Sequence, residues 1–267
     1  MGRRNVQEVR PTTVAGKYYP ADAEFLAKMV DEYLGAAPEE SEVPKAVIAP
    51  HGGYIYSGPV AGSAFRNWMG HAPVERVVVI GPSHFYDFPG IALPDTSVFV
   101  TPLGELEVDL EAAEALKRFN FIQVFEGAHE PEHAIEVELP FLQKLFEGMK
   151  IVPLVTGSTS ADQVARVIDL VWGGPETLIV VSSDLSHYHD YGSAQRYDAA
   201  AARMIESFDF TQLTADQACG HQSIRGLLKV AMKREMRCVV RDLRNSGDTA
   251  GPTSEVTGYG AFHFFEL

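Results

Sequence analysis

Apolar residues in this chain fall into two kinds of pattern. The first is a short continuous run, seen in Ala46-Val47-Ile48-Ala49, in Val77-Val78-Val79-Ile80 and in Leu178-Ile179-Val180-Val181. Runs of this length, rich in β-branched residues and closed by proline, glycine or serine, predict strands buried on both faces. Each run leads into a loop that carries a histidine. The loops read Pro50-His51-Gly52-Gly53-Tyr54, Gly81-Pro82-Ser83-His84, and Ser182-Ser183-Asp184-Leu185-Ser186-His187. If these strands are parallel, their carboxyl ends share one edge, which is where open α/β sheets build their sites.

The second pattern has helical period. Phe25, Leu26, Met29, Val30 and Tyr33 predict a helix over 21–34 with Asp22 as its N-cap. Further helices are predicted over 59–68, from Asp109 to about residue 119, and over 162–171, 194–208 and 220–232. Another begins near Glu132 and carries Ile135, Leu139, Leu142 and Leu145 on one face. Pro140 lies inside it and predicts a kink or a break. Strands are predicted over 91–93, 97–100, 121–125, 151–155, 237–243 and 259–265. Alternation of strands and helices from residue 45 onward is the signature of an α/β domain. With no long linker and no low-complexity tract, residues 1–267 are expected to form a single domain.

Composition narrows the function classes. Apolar residues make up 46% and charged residues 22% of 267, a globular balance. The formal net charge of −14 argues against a general nucleic-acid binder and against docking on an anionic membrane. The two cysteines, Cys219 and Cys238, lack a CxxC spacing and are expected to be reduced thiols of a cytoplasmic protein. Met1-Gly2-Arg3-Arg4-Asn5 is basic with no apolar core behind it, so it is not expected to be a secretory signal.

The chemistry-bearing groups cluster around the loops. His51, His84 and His187 at corresponding strand ends suit a metal site, since imidazole binds iron, copper and zinc. A structural reading, loop histidines that merely finish a strand, competes with it. His133 and Glu136 would lie one turn apart if a helix begins near Glu132. They could be partners that orient a ligand, a substrate-facing acid/base pair, or a polar helix start. Asp184, three before His187, could orient that histidine or accept from loop amides. Asn245-Ser246-Gly247-Asp248 offers a hydroxyl and a carboxylate at another strand end, or is a simple turn. Serine hydrolysis is the rival chemistry, because Ser57, Ser83, Ser182 and Ser186 neighbour the histidines. No GxSxG elbow and no GxxxxGK[ST] phosphate loop is present.

Taken together these stretches resemble the Memo family, the Memo-like protein B of the AmmeMemoRadiSam grouping. The matching residues are Arg10-Pro11, Ala15-Gly16-Lys17-Tyr18-Tyr19-Pro20, Pro50-His51-Gly52-Gly53-Tyr54, Gly81-Pro82-Ser83-His84, Glu132-His133-Ala134-Ile135-Glu136, Ser182-Ser183-Asp184-Leu185-Ser186-His187 and Ser246-Gly247-Asp248. The resemblance implies a central, mostly parallel sheet flanked by helices, like that of class III extradiol dioxygenases. It also implies a metal pocket built on His51 and His84, with His187 where those dioxygenases keep an acid/base histidine. Animal members add a cysteine near the end of the SGD-like segment. This chain has Asp248-Thr249 there, which makes Asp248 the expected third ligand. Two histidines and a carboxylate favour Fe(II), with copper or zinc as alternatives. His133 and Glu136 are expected to line the pocket, and Tyr54 and Ser246 to contact substrate. The implied function is a metal-dependent, dioxygenase-like oxidoreductase. The alternative is a non-catalytic adaptor using the same pocket for a peptide or small anion. Radical-SAM pathway proteins are the expected partners.

Overall fold

The continuous apolar runs become the middle of one sheet, because both of their faces are covered. The computed structural model describes residues 8–38, 40–71 and 73–267, so the basic N-terminal pentapeptide lies outside the described residues. In chain order the strands are β1 (Val9–Arg10), β2 (Ala46–Ala49), β3 (Arg76–Pro82), β4 (Ile91–Leu93), β5 (Val98–Thr101), β6 (Gly104–Glu107), β7 (Ile122–Val124), β8 (Lys150–Thr156), β9 (Thr177–Ser182), β10 (Arg237–Asn245) and β11 (Gly258–Phe265). The helices are α1 (Ala23–Ala36), α2 (Tyr54–Phe65), α3 (Leu110–Leu116), α4 (Glu126–His129), α5 (Leu139–Leu145), α6 (Ala161–Leu170), α7 (Tyr191–Glu206) and α8 (His221–Lys233). Asp22 and Asp109 cap α1 and α3, accepting from the backbone of Phe25 and Ala112. Each such cap is worth about 1 kcal/mol.

An eight-stranded sheet runs in the order β10-β11-β2-β9-β3-β8-β4-β7, and a small sheet pairs β1, β5 and β6. The four strands β2, β9, β3 and β8 are mutually parallel. β10, β11 and β4 join antiparallel to their inner neighbours. The sheet is therefore mixed rather than mostly parallel. Of these three antiparallel pairs only β10 and β11 follow one another in the chain, and they are joined without a helical crossover, which antiparallel neighbours do not need. Period-2 alternation sends Val47, Val77, Val79 and Val180 to one face under α1, α2 and α5. Ile48, Val78, Ile80 and Val181 go to the other face under α3, α6, α7 and α8. No helix among the described residues is long and apolar enough to cross a membrane.

Two helices depart from the predicted bounds. α2 starts at Tyr54, five residues before the expected Pro59, because the Gly53 carbonyl already accepts from Tyr56 and Ser57. Pro59 then sits inside the helix and removes one hydrogen bond from it. The helix expected from Glu132 does not begin there. A 3₁₀ turn covers Glu136–Glu138 and α5 opens at Leu139, with Pro140 in its first turn, where proline costs nothing.

Candidate metal centre at the strand ends

The parallel register brings the ends of β2, β9 and β3 side by side. Ala49 pairs with Ser182, and Ile80 with Val181. The residues just beyond, His51 and His84, therefore meet. Their ring centroids are 5.2 Å apart, and His133 joins them at 5.3 Å from His51 and stacked 4.5 Å from His84. Gly52 has to be small here: a Cβ on it would meet the Tyr259 ring at 2.9 Å.

His51 and His84 are each anchored through Nδ1. In His51, which is fully buried, Nδ1 lies 2.7 Å from Ser182 Oγ, and the backbone N–H donates to Asp184 at 2.8 Å. In His84, Nδ1 lies 2.8 Å from Glu132 Oε1, and its backbone N–H donates to Oε2 of the same carboxylate at 2.7 Å. Glu132 Oε1 also accepts from the backbone of His133 and Ala134, both at 2.9 Å. Nδ1 being held in this way leaves Nε2 of each ring available as a ligand, the arrangement in which outer partners orient metal-binding imidazoles. On His51 that Nε2 faces Cys219 Sγ at 3.3 Å.

Among the described residues two sets of side chains could hold an ion, with ligand atoms within 4.8 Å of one another: His51, His84 and Cys219, and His84, Glu132 and His133. The first is the stronger. Glu132 has its oxygens engaged by four donors, whereas Cys219 Sγ makes only long contacts with His51, Ser183 and the Asp184 carbonyl, at 3.3–3.7 Å, among the hydrogen bonds of the described residues. Burial holds His51 well below the ordinary histidine pKa and pushes His133 down to about 4. Burial also pushes the Cys219 thiol up to about 12. His84 goes the other way: burial opposes its charge, but its bond to Glu132 outweighs that and raises it. His51 and Cys219 are thus held as neutral imidazole and thiol, while Glu132 favours the charged form of His84, and a soft or borderline cation would take the place of the protons on the thiol and on His84. A cleft of about 470 Å³ opens beside it, walled by Ser83, His84, Phe85, Cys219, His221 and Gln222.

The structure brings only part of the predicted set together. His51, His84 and His133 converge. His187 stands at the margin, its Nε2 3.9 Å from Asp184, while the other Asp184 oxygen serves the backbone of His51. Burial raises the Asp184 pKa to about 7. Asp248 is corrected: it closes the turn after β10, accepting from the Asn245 backbone and the Tyr191 hydroxyl, and belongs to neither ligand set. Glu136 is corrected as well. Without a helix at Glu132 it does not share a face with His133. It lies fully buried against Arg10 at 2.7 Å, the Tyr19 hydroxyl at 2.6 Å, and the backbone of Thr13 and Val14. Tyr54 is in the core, donating to the Val137 carbonyl at 2.7 Å, and Ser246 Oγ accepts from the Thr257 backbone. The Tyr54 hydroxyl is thereby committed within the core, whereas that of Ser246 keeps its hydrogen to donate.

Cys219, Glu132 and Ser182 are the residues that sequence reasoning missed in these roles. Cys219-Gly220-His221 at the mouth of a helix was the available signal for the first, and the Glu132-His133 pair for the second. The serine rival loses ground. Ser83 Oγ is taken up with Tyr86, donating to its carbonyl at 2.7 Å, and Ser182, which does meet a histidine, is fully buried.

A sequence model described as "Memo-like protein" matches residues 10–263. Curated relatives described as "MEMO1 family protein" match nearly end to end. The one from Ignicoccus hospitalis is 34% identical over 96% of this chain and 98% of its own. That from Aquifex aeolicus is 34% identical over 94% and 97%, and that from Archaeoglobus fulgidus 34% over 96% and 99%. Among solved structures, an uncharacterized protein from Escherichia coli K12 is 12% identical with a TM-score of 0.46, covering 82% of this chain and 99% of that one.

Proposed function

The chain belongs to the Memo family, and on that footing we propose that its strand-end cleft holds a transition-metal ion and works as a metal-dependent oxidoreductase on a small polar organic substrate. The observation that carries this reading is the approach of His51, His84 and Cys219 from three separate segments, with both histidines anchored through Nδ1. Two imidazoles and a thiol fit a borderline or soft ion. Replacing the expected Asp248 by Cys219 shifts the preference from Fe(II) toward copper and zinc, with iron still compatible. A copper or iron ion held there would supply one-electron chemistry and a Lewis-acid position for a substrate oxygen. The chain's own contribution is orientation and proton handling. Glu132 and Ser182 hold the ligand rings. His133 stays neutral, and the partly exposed His187 beside Asp184 is assigned the passing of a proton to solvent.

The test is metal content after anaerobic purification and after loading with Fe(II), Zn(II) or Cu(I), for wild type and for His51→Ala, His84→Ala and Cys219→Ala. Near-stoichiometric metal in the wild type, lost in all three variants, supports the reading and justifies oxygen-uptake screens with catechol-like compounds. Intact protein that takes up none of the three metals overturns it and leaves the peptide- or anion-binding alternative.

A further inference from the structure

Beneath His51 lies a carboxyl group that no metal ligand touches. Glu138 is fully buried. Its Oε1 lies 2.8 Å from Ser182 Oγ, and its Oε2 has no hydrogen-bond partner among the described residues. Ser182 Oγ has two further close partners, the Ala134 carbonyl at 2.7 Å and His51 Nδ1 at 2.7 Å.

The proton count at this oxygen has one solution. A hydroxyl has a single hydrogen to donate and two lone pairs to accept with. The Ala134 carbonyl can only accept, and two oxygens 2.7 Å apart without a hydrogen between them would repel. The Ser182 hydrogen therefore points at Ala134. The other two partners must then donate to Ser182. His51 donates from Nδ1–H, so in its neutral form its proton is on Nδ1 and Nε2 carries the lone pair. Glu138 donates from a carboxylic O–H on Oε1, so it is neutral and its bare Oε2 is a carbonyl. An ionised Glu138 would instead compete with Ala134 for the Ser182 hydrogen and bury an unpartnered charged oxygen, which costs several kcal/mol. Burial independently raises the Glu138 pKa well above the ordinary carboxyl value, against the lowering effect of Ser182 and with Asp184 adding to the rise.

We propose that Glu138, as a neutral acid, and the Ala134 carbonyl together orient Ser182 so that it locks His51 in the Nδ1–H tautomer, keeping its Nε2 lone pair aimed at the Cys219 side of the cleft. Glu138 is thus a positioning residue acting through Ser182. The use of that lone pair for an ion rests on the metal reading above, whereas the tautomer and the proton on Glu138 do not.

The experiment uses the full-length, metal-free protein. Nitrogen-15 NMR of labelled histidine reads the His51 tautomer. Difference infrared spectroscopy of wild type against Glu138→Gln reads the carbonyl band of a protonated acid. The expected results are His51 protonated on Nδ1 and an acid band lost in Glu138→Gln. That variant keeps the tautomer, because its amide N–H donates to Ser182 as the acid does. Ser182→Ala is expected to release His51 into a tautomer mixture and to weaken zinc binding by about 10–100-fold, the usual cost of losing an outer partner. His51 protonated on Nε2, or no acid band in wild type, overturns the proposal without any variant having to fold. A correct tautomer and acid band in a protein that binds no metal would sink the metal reading and leave the lock standing.

Discussion

Cys219 Sγ sits 3.3 Å from Nε2 of His51, although 168 residues separate the two in sequence. The contact joins the loop after β2 to a residue two positions before α8, and it makes the pair of histidines part of a three-member candidate ligand set. Its consequence is testable against the rival ligand. Cys219→Ala is expected to lower affinity for zinc or Cu(I) by more than the roughly 10–100-fold typical of outer partners. Asp248→Ala is expected to leave affinity within a few-fold of wild type, since Asp248 is tied up with Tyr191 and Asn245. Isothermal titration of the metal-free proteins measures both. It should also show proton release on wild-type loading, because Cys219 holds its proton until a cation replaces it. The opposite ranking of the two variants would return Asp248 to the site.

Glu136 separates structure from chemistry in the same region. Its carboxylate is closed off by Arg10, Tyr19 and two backbone amides, and both members of the Arg10–Glu136 pair are essentially unexposed. Removing one partner of a buried pair leaves an uncompensated charge, at a cost of about 3–5 kcal/mol. Glu136→Ala is therefore expected to lower stability by about that amount in denaturant titration. Metal bound per folded molecule should not change. A stable Glu136→Ala protein with impaired metal uptake would place Glu136 in the site after all.

The uneven legibility of the sequence has physical causes. Strands such as β2, β3 and β9 are readable because full burial demands a continuous apolar run, and a histidine directly after each run is readable by position. His51 and His84 follow from that alone. Cys219 does not, because the local Cys219-Gly220-His221 signal does not say which strand end α8 packs back onto. Glu136 misled for a related reason. A helical spacing was assumed from Glu132, but the Glu132 carboxylate is turned onto His84 and the regular helix opens only at Leu139, after a 3₁₀ turn that contains Glu136. The mixed sheet was equally hidden, since β10, β11 and β4 look the same whether they pair parallel or antiparallel.

Gly220 is what lets α8 deliver Cys219. Its backbone N–H donates to Ser183 Oγ at 2.9 Å, and a Cβ there would meet the Ser183 Cβ at 2.7 Å and the Ser182 carbonyl at 2.8 Å. Backbone cannot yield as a flexible side chain can. Gly220→Ala is expected to cost about 1–3 kcal/mol of overpacking and to weaken metal binding by moving Cys219 away from His51. Gly35→Ala is the control of opposite sign. Gly35 lies in α1 with nothing within 4 Å of its added Cβ, so it should gain about 0.5–1 kcal/mol and leave metal binding unchanged. Thermal melts with and without zinc distinguish the two effects.

Acid sensitivity should come from buried histidines remote from the cleft as well as those in it. His129 Nε2 donates to the Ala92 carbonyl at 3.0 Å and His263 Nε2 to the Ala64 carbonyl at 2.8 Å, and burial pushes each down to about 4. Below the unfolded value near 6.5 the unfolded chain takes up protons that the folded one refuses, so stability falls as pH drops toward 4. The slope is at most about 1.4 kcal/mol per pH unit for each histidine. His51, His133, His187 and His221 are shifted in the same direction. Glu138, Asp184 and Asp198 oppose them, since burial raises these carboxyls and folding then favours proton uptake as pH falls. His84, raised by Glu132, acts with these carboxyls, chiefly near and above pH 6.5 where its unfolded form gives up its proton. Six groups against four still give a net loss. The melting temperature of the metal-free protein is therefore expected to fall between pH 6.5 and 4.5. In His129→Gln/His263→Gln, glutamine keeps an N–H near the Nε2 position but cannot titrate, so the decline should be shallower by the share of two groups. A slope unchanged in that variant would mean these two histidines are not held neutral by the fold.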